Sequence, residues 1–261
     1  MPELPDVEGF RRVFAEHAAG ARVRDVDVLD AQVLRGVAPA RLRSVVRGRR
    51  FGEPARHGKW LIAPVAGDGE ALLLHFGMTG SLVWDGEDRP RHRHDRVVFT
   101  FAEGELRYRD MRKLTGLRLA RDETESRAAL GDLGPDALSV SRDELGRLLG
   151  GLRRRTKSAL TDQSVLAGLG NLLADEILWR AKLSPHRAAA GLSRGDLGRL
   201  HARMGTVLRQ SVEAGRVPPR PSWLTGRRDE PSASCPRCGT TLCRGRVDGR
   251  STVWCPRCQP T

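Results

Sequence analysis

The chain has 261 residues, a length that suits two modest domains and a small module better than one large core. Its 45 basic and 32 acidic residues give a formal charge of +13 and a pI near 10.8, which points to a polyanionic partner such as nucleic acid. No apolar run reaches the ~18 residues of a membrane span and the polar start lacks a signal-peptide core, so a cytoplasmic protein with no membrane partner is expected.

Residues 5–19 read as an amphipathic helix. Pro5 suits its first turn, Val7, Phe10, Val13 and Phe14 form an apolar stripe, and Gly20 ends it. From 21 to about 120 the apolar period shortens toward two. ARVRDVDVL, ALLLHFGMTGSLVW and RVVFTF-AEGE-LRYR read as strands, the last as a hairpin turning at Gly104. The first block is therefore a β-rich domain opened by a helix.

From about 135 to 215 the pattern is helical. A helix is expected from Asn171 to about Lys182, preceded by the turn Gly168-Leu169-Gly170. Glycines there let the backbone approach a ligand closely, and the helix start offers unpaired N–H groups to an anion. Ser193 and Asp196 form a capping pair for a later helix with Leu197, Leu200, Met204 and Leu208 on one face and Gly215 at its end. A Pro/Arg-rich stretch, GRVPPRPSWLTGRRDEPSAS, then reads as a linker.

All five cysteines lie between 235 and 258, which points to a metal rather than a disulfide framework. Cys235, Cys238, Cys255 and Cys258 form two Cys-x-x-Cys knuckles, whose four thiolates can close a tetrahedral site around one structural Zn²⁺. Cys243 is left over as a passive thiol. Between the knuckles, RGRVDGRSTVW reads as a hairpin turning at Asp248-Gly249. Arg250 beside that tip is either a phosphate contact or an ordinary solvated residue.

With these stretches in order, the chain resembles the formamidopyrimidine-DNA glycosylase / endonuclease VIII family from end to end. The matching stretches are PELPDVE at the start, GKW around Lys59, HFGMTGSL at 75–82 and HD at 94–95. DQ-x5-GLGN-x3-DEIL at 162–178 and the doubled knuckle with GRSTVWCPRCQ complete the set. The resemblance implies an α+β fold in three parts. These are a catalytic, β-sandwich-like domain over 1–125, a helix–two-turns–helix domain over 135–225 and a zinc ribbon over 226–261. It also implies a monomeric base-excision-repair enzyme, a DNA glycosylase and abasic-site lyase, holding damaged double-stranded DNA in the cleft between its domains.

In the family the N-terminal proline is the nucleophile, here Pro2, and the resemblance makes Glu3 its proton donor. A retained Met1 would acylate the Pro2 nitrogen, so its removal is expected. An α-amino group near pKa ~8 is partly neutral at physiological pH, and the dipole of the following helix is expected to favour that neutral form. The competing role for Glu3 is a local cap on that helix. Lys59 is implied in β-elimination and Arg250 in phosphate binding and δ-elimination. Met78, Arg112 and Leu114 would fill the gap left by a flipped base, while His75, His94, Arg153, Lys157 and Asn171 are further implied DNA contacts.

Three features depart from the family pattern. Its Asp-Pro-Arg-Arg-Phe becomes Asp110-Met111-Arg112-Lys113-Leu114, which loses an aromatic ring beside the opposite base. Asp6 replaces the more common Glu. The stretch between Gly215 and Cys235 is short for the loop with which 8-oxoguanine-specific members cover the flipped base. That tilts the expected substrate toward oxidised pyrimidines, ring-opened purines, hydantoins or abasic sites, with room for a bulky adduct. A non-catalytic paralogue that only binds damaged DNA has no use for Pro2, Glu3 and Lys59 as a set, and an RNA-binding zinc-ribbon protein leaves the N-terminus unexplained.

Overall fold

The computed structural model describes residues 1–86 and 88–260. It divides into two compact units, one of Met1–Pro2 and Asp6–Asp132, the other of Glu3–Pro5 with the chain from Leu133 onward.

α1 covers Leu4–His17, belongs to the first unit from Asp6 onward, and is followed by Gly20 in the left-handed conformation. Strands β1 (Asp25–Val28), β2 (Ala55–His57), β3 (Trp60–Pro64), β4 (Ala71–His75), β5 (Ser81–Asp85), β6 (Asp95–Thr100), β7 (Glu105–Arg109) and β8 (Gly116–Ala120) form two antiparallel sheets. Their orders are β1-β6-β7-β5 and β2-β3-β4-β8. Val26, Phe99, Leu106 and Tyr108 of the first sheet share one core with Leu61, Leu72, Leu74 and Leu117 of the second, so the unit is a β-sandwich. Phe10 and Phe14 of α1 join this core. The hairpin turns where expected, with the Phe101 N–H donating to the Gly104 carbonyl.

Two helices in this unit escape the period-two reading. α2 (Pro39–Val46) buries only Leu42, Val45 and Val46, too short a stripe to establish a helical period. α3 (Glu123–Leu130) buries no residue and is started by Asp122, whose carboxylate accepts from the Glu125 N–H.

The second unit contains α4 (Arg142–Gly150), α5 (Thr156–Thr161), α6 (Asn171–Ala181) and α7 (Arg194–Glu213). α6 runs as expected and ends at Lys182 in the left-handed conformation (φ 57°). The Ser193/Asp196 capping box on α7 is complete in both directions. Leu200, Met204, Val207 and Leu208 of α7 pack against Leu173, Ile177 and Leu178 of α6 in one core.

The stretch after Gly215 is not a free linker. Trp223 and Leu224 are buried, the Arg180 guanidinium stacks 4.4 Å over the Trp223 ring, and the Thr225 N–H donates to the buried Glu176 carboxylate at 3.1 Å. Its polar composition masks these anchors. The knuckle hairpin, β9 (Cys243–Val247) and β10 (Arg250–Trp254), closes the unit. Among the described residues no helix is long and apolar enough to cross a membrane.

Candidate functional site

The Gly168-Leu169-Gly170 turn does receive an anion, and the anion belongs to the chain itself. Glu3 is 1% exposed, and its carboxylate accepts from the N–H groups of Gly170 (2.9 Å), Leu172 (2.8 Å) and Leu173 (3.1 Å) at the start of α6. These are N–H groups that a helix start leaves without intrahelical partners, and the positive end of the helix dipole suits a carboxylate there. The Leu4 N–H donates to the Gly168 carbonyl at 3.0 Å.

Only glycine fits this turn. A Cβ on Gly170 would lie 2.3 Å from the Glu3 Cδ, and one on Gly168, whose φ is +111°, would lie 2.6 Å from a Leu4 methyl. Glu3 is thus a cap of α6, some 170 residues away. Pro2, half-buried, precedes it in the chain.

Asn171, the first residue of α6, donates from Nδ2 to the Ser251 hydroxyl at 3.1 Å. This places it beside Arg250, which is exposed at the start of β10. The hairpin turns tightly through Asp248 and Gly249, both with positive φ (46° and 81°). The Ser158 hydroxyl of α5 donates to the Asp248 carboxylate and so ties the turn to the helices.

Lys157, implied by the resemblance as a DNA contact, lies inside the second unit. Its side chain is 0% exposed, and Nζ is engaged by Asp175 (2.6 Å), the Ser251 carbonyl (2.8 Å) and the Thr252 hydroxyl (2.8 Å). Two hydrogen bonds and the Asp175 ion pair thus hold the ammonium inside the protein. Lys157 is therefore turned inward, onto Asp175 and β10. Arg153 lies exposed ahead of α5 and is not drawn into this group.

The Sγ atoms of Cys235, Cys238, Cys255 and Cys258 all lie within 4.8 Å of one another. The separations of 3.5 Å (Cys238–Cys255) and 4.0 Å (Cys235–Cys258) bracket the ~3.8 Å that four thiolates ~2.3 Å from a tetrahedral Zn²⁺ require. The residues fit a structural zinc. Cys243 stays outside the group, paired with Trp254 across the hairpin. The Trp179 indole N–H of α6 donates to Cys235 Sγ at 3.3 Å, and the Arg237 guanidinium stacks 4.3 Å from the Trp179 ring, which docks the knuckles on the helical core.

In the first unit the structure brings together two loops. The Thr79 hydroxyl donates to the Asp110 carboxylate at 2.6 Å, and the Arg112 backbone N–H donates to both, at 3.0 and 3.1 Å. Met78 and Arg112 meet above that tie, with Nη1 3.0 Å from the Met78 sulfur. Leu114 lies against the same turn, its Cβ 3.8 Å from where a Gly77 Cβ would stand. Met78, Met111 and Leu114 are 40%, 53% and 51% exposed, a set of apolar tips held out from a polar base. Nothing in the sequence singles out Met111, because one methionine in a polar loop carries no pattern.

His75 supports the first of these loops. Its Nδ1 accepts from the Gly77 N–H at 3.0 Å and lies 3.1 Å from the Thr115 hydroxyl. Burial, aided by the Lys59 charge, pulls its pKa down to about 4, so the ring is a neutral acceptor at physiological pH. Lys59 itself lies half-buried between β2 and β3. His94 Nδ1 accepts from the Arg96 guanidinium at 3.1 Å, and its carbonyl receives the Asp110 N–H. Partial desolvation and the charges of Arg93, Arg96 and Arg109 hold its pKa below the ordinary histidine value.

Three family models match the chain in succession. They describe the formamidopyrimidine-DNA glycosylase N-terminal domain over residues 1–117, the formamidopyrimidine-DNA glycosylase H2TH domain over 133–219 and a zinc finger found in FPG and IleRS over 235–261. A formamidopyrimidine-DNA glycosylase of Desulfitobacterium hafniense is 34% identical over 99% of this chain and 100% of its own length. One from Geobacillus kaustophilus is 35% identical, with the same coverages. Among solved structures, Lactococcus lactis Fpg in complex with abasic-site DNA superposes with a TM-score of 0.89 at 28% identity, covering 99% of this chain and all of that one. The same enzyme with DNA containing FAPY-dG gives 0.88 at 26% identity, again covering 99% and 100%.

Proposed function

Since the chain belongs to the formamidopyrimidine-DNA glycosylase family, we propose that it excises oxidised or otherwise damaged bases from double-stranded DNA in base excision repair and then cuts the strand at the abasic site. The observation that carries this reading is the Glu3 carboxylate seated on the start of α6, next in the chain to Pro2. A pure binding protein has no need of a buried acid held at that point.

The chemistry starts at the Pro2 nitrogen, freed by loss of Met1. Its lone pair attacks C1′ of the damaged nucleotide, the C1′–N bond breaks, and the base leaves with a proton. Glu3 hands a proton to the opening sugar, and the resulting iminium withdraws electrons from the sugar carbons. Loss of the C2′ proton then breaks the C3′–O bond and releases the 3′ side of the strand (β-elimination). Loss of the C4′ proton breaks the C5′–O bond and releases the 5′ side (δ-elimination).

Lys59 assists the first elimination. Arg250 and Asn171, adjacent through Ser251, bind the phosphate and serve the second. Met78, Arg112 and Leu114 occupy the gap left by the flipped nucleotide, since a base within a duplex is out of reach. His75 and His94 hold the two loops that present these side chains, and Arg153 adds charge along the DNA. The enzyme acts as a monomer in the cytoplasm, organised as a catalytic β domain, a helical domain and a zinc ribbon. The short segment after Gly215 favours oxidised pyrimidines, ring-opened purines and hydantoins over 8-oxoguanine.

Borohydride trapping on an abasic-site duplex tests the core of this reading. Protein lacking Met1 should form a covalent adduct through its N-terminus. Absence of the adduct, or an adduct undiminished by Pro2→Gly with a blocked amine, would exclude Pro2 as nucleophile.

A further inference from the structure

One buried group of charges is not used by the chemistry above. Lys157 of α5, Asp175 of α6 and Arg228 of the segment after α7 are 0%, 2% and 7% exposed. Lys157 and Arg228 both pair with the Asp175 carboxylate. Two cations therefore face one carboxylate, which leaves a net positive charge inside the unit.

Both cations also converge on one residue. The Ser251 carbonyl accepts from Lys157 Nζ at 2.8 Å and from Arg228 Nη2 at 2.9 Å, and the Ser251 hydroxyl receives Arg228 at 3.0 Å and Asn171 at 3.1 Å. Lys157 also reaches the Thr252 hydroxyl, and the Asp175 carboxylate accepts the Val253 N–H at 3.2 Å. The group thus holds three successive residues of β10 immediately after Arg250. Zinc fastens the hairpin at its base, and this group fastens the strand that carries the arginine.

Stability alone gives no reason for such an arrangement, because buried ion pairs are often matched or bettered by apolar residues of equal volume. A directional polar grip is what fixes a strand's position relative to a helix start. We propose that Lys157, Asp175 and Arg228 form a positioning triad that fixes Arg250 and Asn171 on one phosphate-binding edge and so governs the second elimination rather than Schiff-base formation. The proposal rests on the role given above to Arg250.

Arg228→Met is the primary test, since it leaves Lys157 and Asp175 as a balanced pair. On an abasic-site duplex its products should shift at least fivefold from 3′-phosphate ends toward 3′-unsaturated aldehyde ends, while the rate of borohydride trapping changes less than twofold. Amides of β10 should exchange hydrogen at least tenfold faster with one zinc per chain still bound, and Arg228→Lys should recover part of both effects. Ser251→Ala, which removes only the shared hydroxyl, should move both readouts in the same direction and serves if Arg228→Met does not fold. Unchanged product ratio and unchanged exchange, or a parallel fall of trapping and both eliminations, overturns the proposal. If Arg250→Ala leaves δ-elimination intact, the role of Arg250 falls by itself. The positioning claim is then decided by β10 exchange, with unchanged exchange overturning it.

Discussion

The Glu3 carboxylate and the Gly170 N–H meet at 2.9 Å although 167 positions separate them in the chain. That bond seats the carboxylate of the residue after Pro2 at the start of α6, and it works only because Gly170 has no side chain. Gly170→Ala should displace Glu3 by an ångström or more. Base excision should then fall by about 100-fold, the cost expected of a misplaced catalytic group, while far-UV circular dichroism stays native. Glu3→Gln removes the titratable carboxyl and one of its two acceptor oxygens, so excision should fall by roughly 10²–10⁴. Single-turnover kinetics on a lesion duplex measures both.

The neutral His75 ring makes stability depend on pH. Its folded pKa of about 4 lies below the ordinary value of 6.5, so protonation favours the unfolded chain. Its contribution to stability is full above pH 6.5 and is lost as pH falls toward 4, at up to about 1.4 kcal/mol per pH unit. Below 4 the loss levels off. Urea unfolding at pH 7, 5.5 and 4.5 should show a smaller loss for His75→Gln than for the wild type, and equal slopes would reject the assignment.

The zinc ligands hold a hairpin whose buried apolar set is small, chiefly Leu242 and Val253 beside the cysteines. Cys258→Ala, or a strong chelator, should release one zinc per chain and abolish strand cleavage at the abasic site. The β-sandwich, with its separate core, should remain folded. Metal content, cleavage assays and the residual strand signal in circular dichroism check the three parts.

Met78, Arg112 and Leu114 should matter for duplex substrates and little for single strands. Met78→Ala and Arg112→Ala are each expected to slow excision from a duplex about tenfold or more, with a much smaller effect on a single-stranded abasic substrate. Leu114→Phe restores an aromatic surface and should sharpen discrimination between opposite bases by about fivefold. Rates measured across four opposite bases decide this, and an unchanged ranking would remove Leu114 from that role.

The sequence by itself determined the parts whose signals are local. Cysteine spacing specified the metal ligands, the Ser193/Asp196 pair and the glycine turn specified helix starts, and alternation specified most of the strands. Local chemistry reads well because caps, turns and knuckles are satisfied within a few residues. Short or solvent-facing helices such as Pro39–Val46 and Glu123–Leu130 left too few apolar positions to set a period. What only the tertiary structure decided is where the charges go. Glu3 caps a helix far along the chain, Lys157 is turned inward onto Asp175, and Arg228, which reads as part of a polar linker, grips the strand beside Arg250. A charged letter looks the same whether water or a buried partner satisfies it, and the choice is made by which backbone groups packing brings within hydrogen-bond reach.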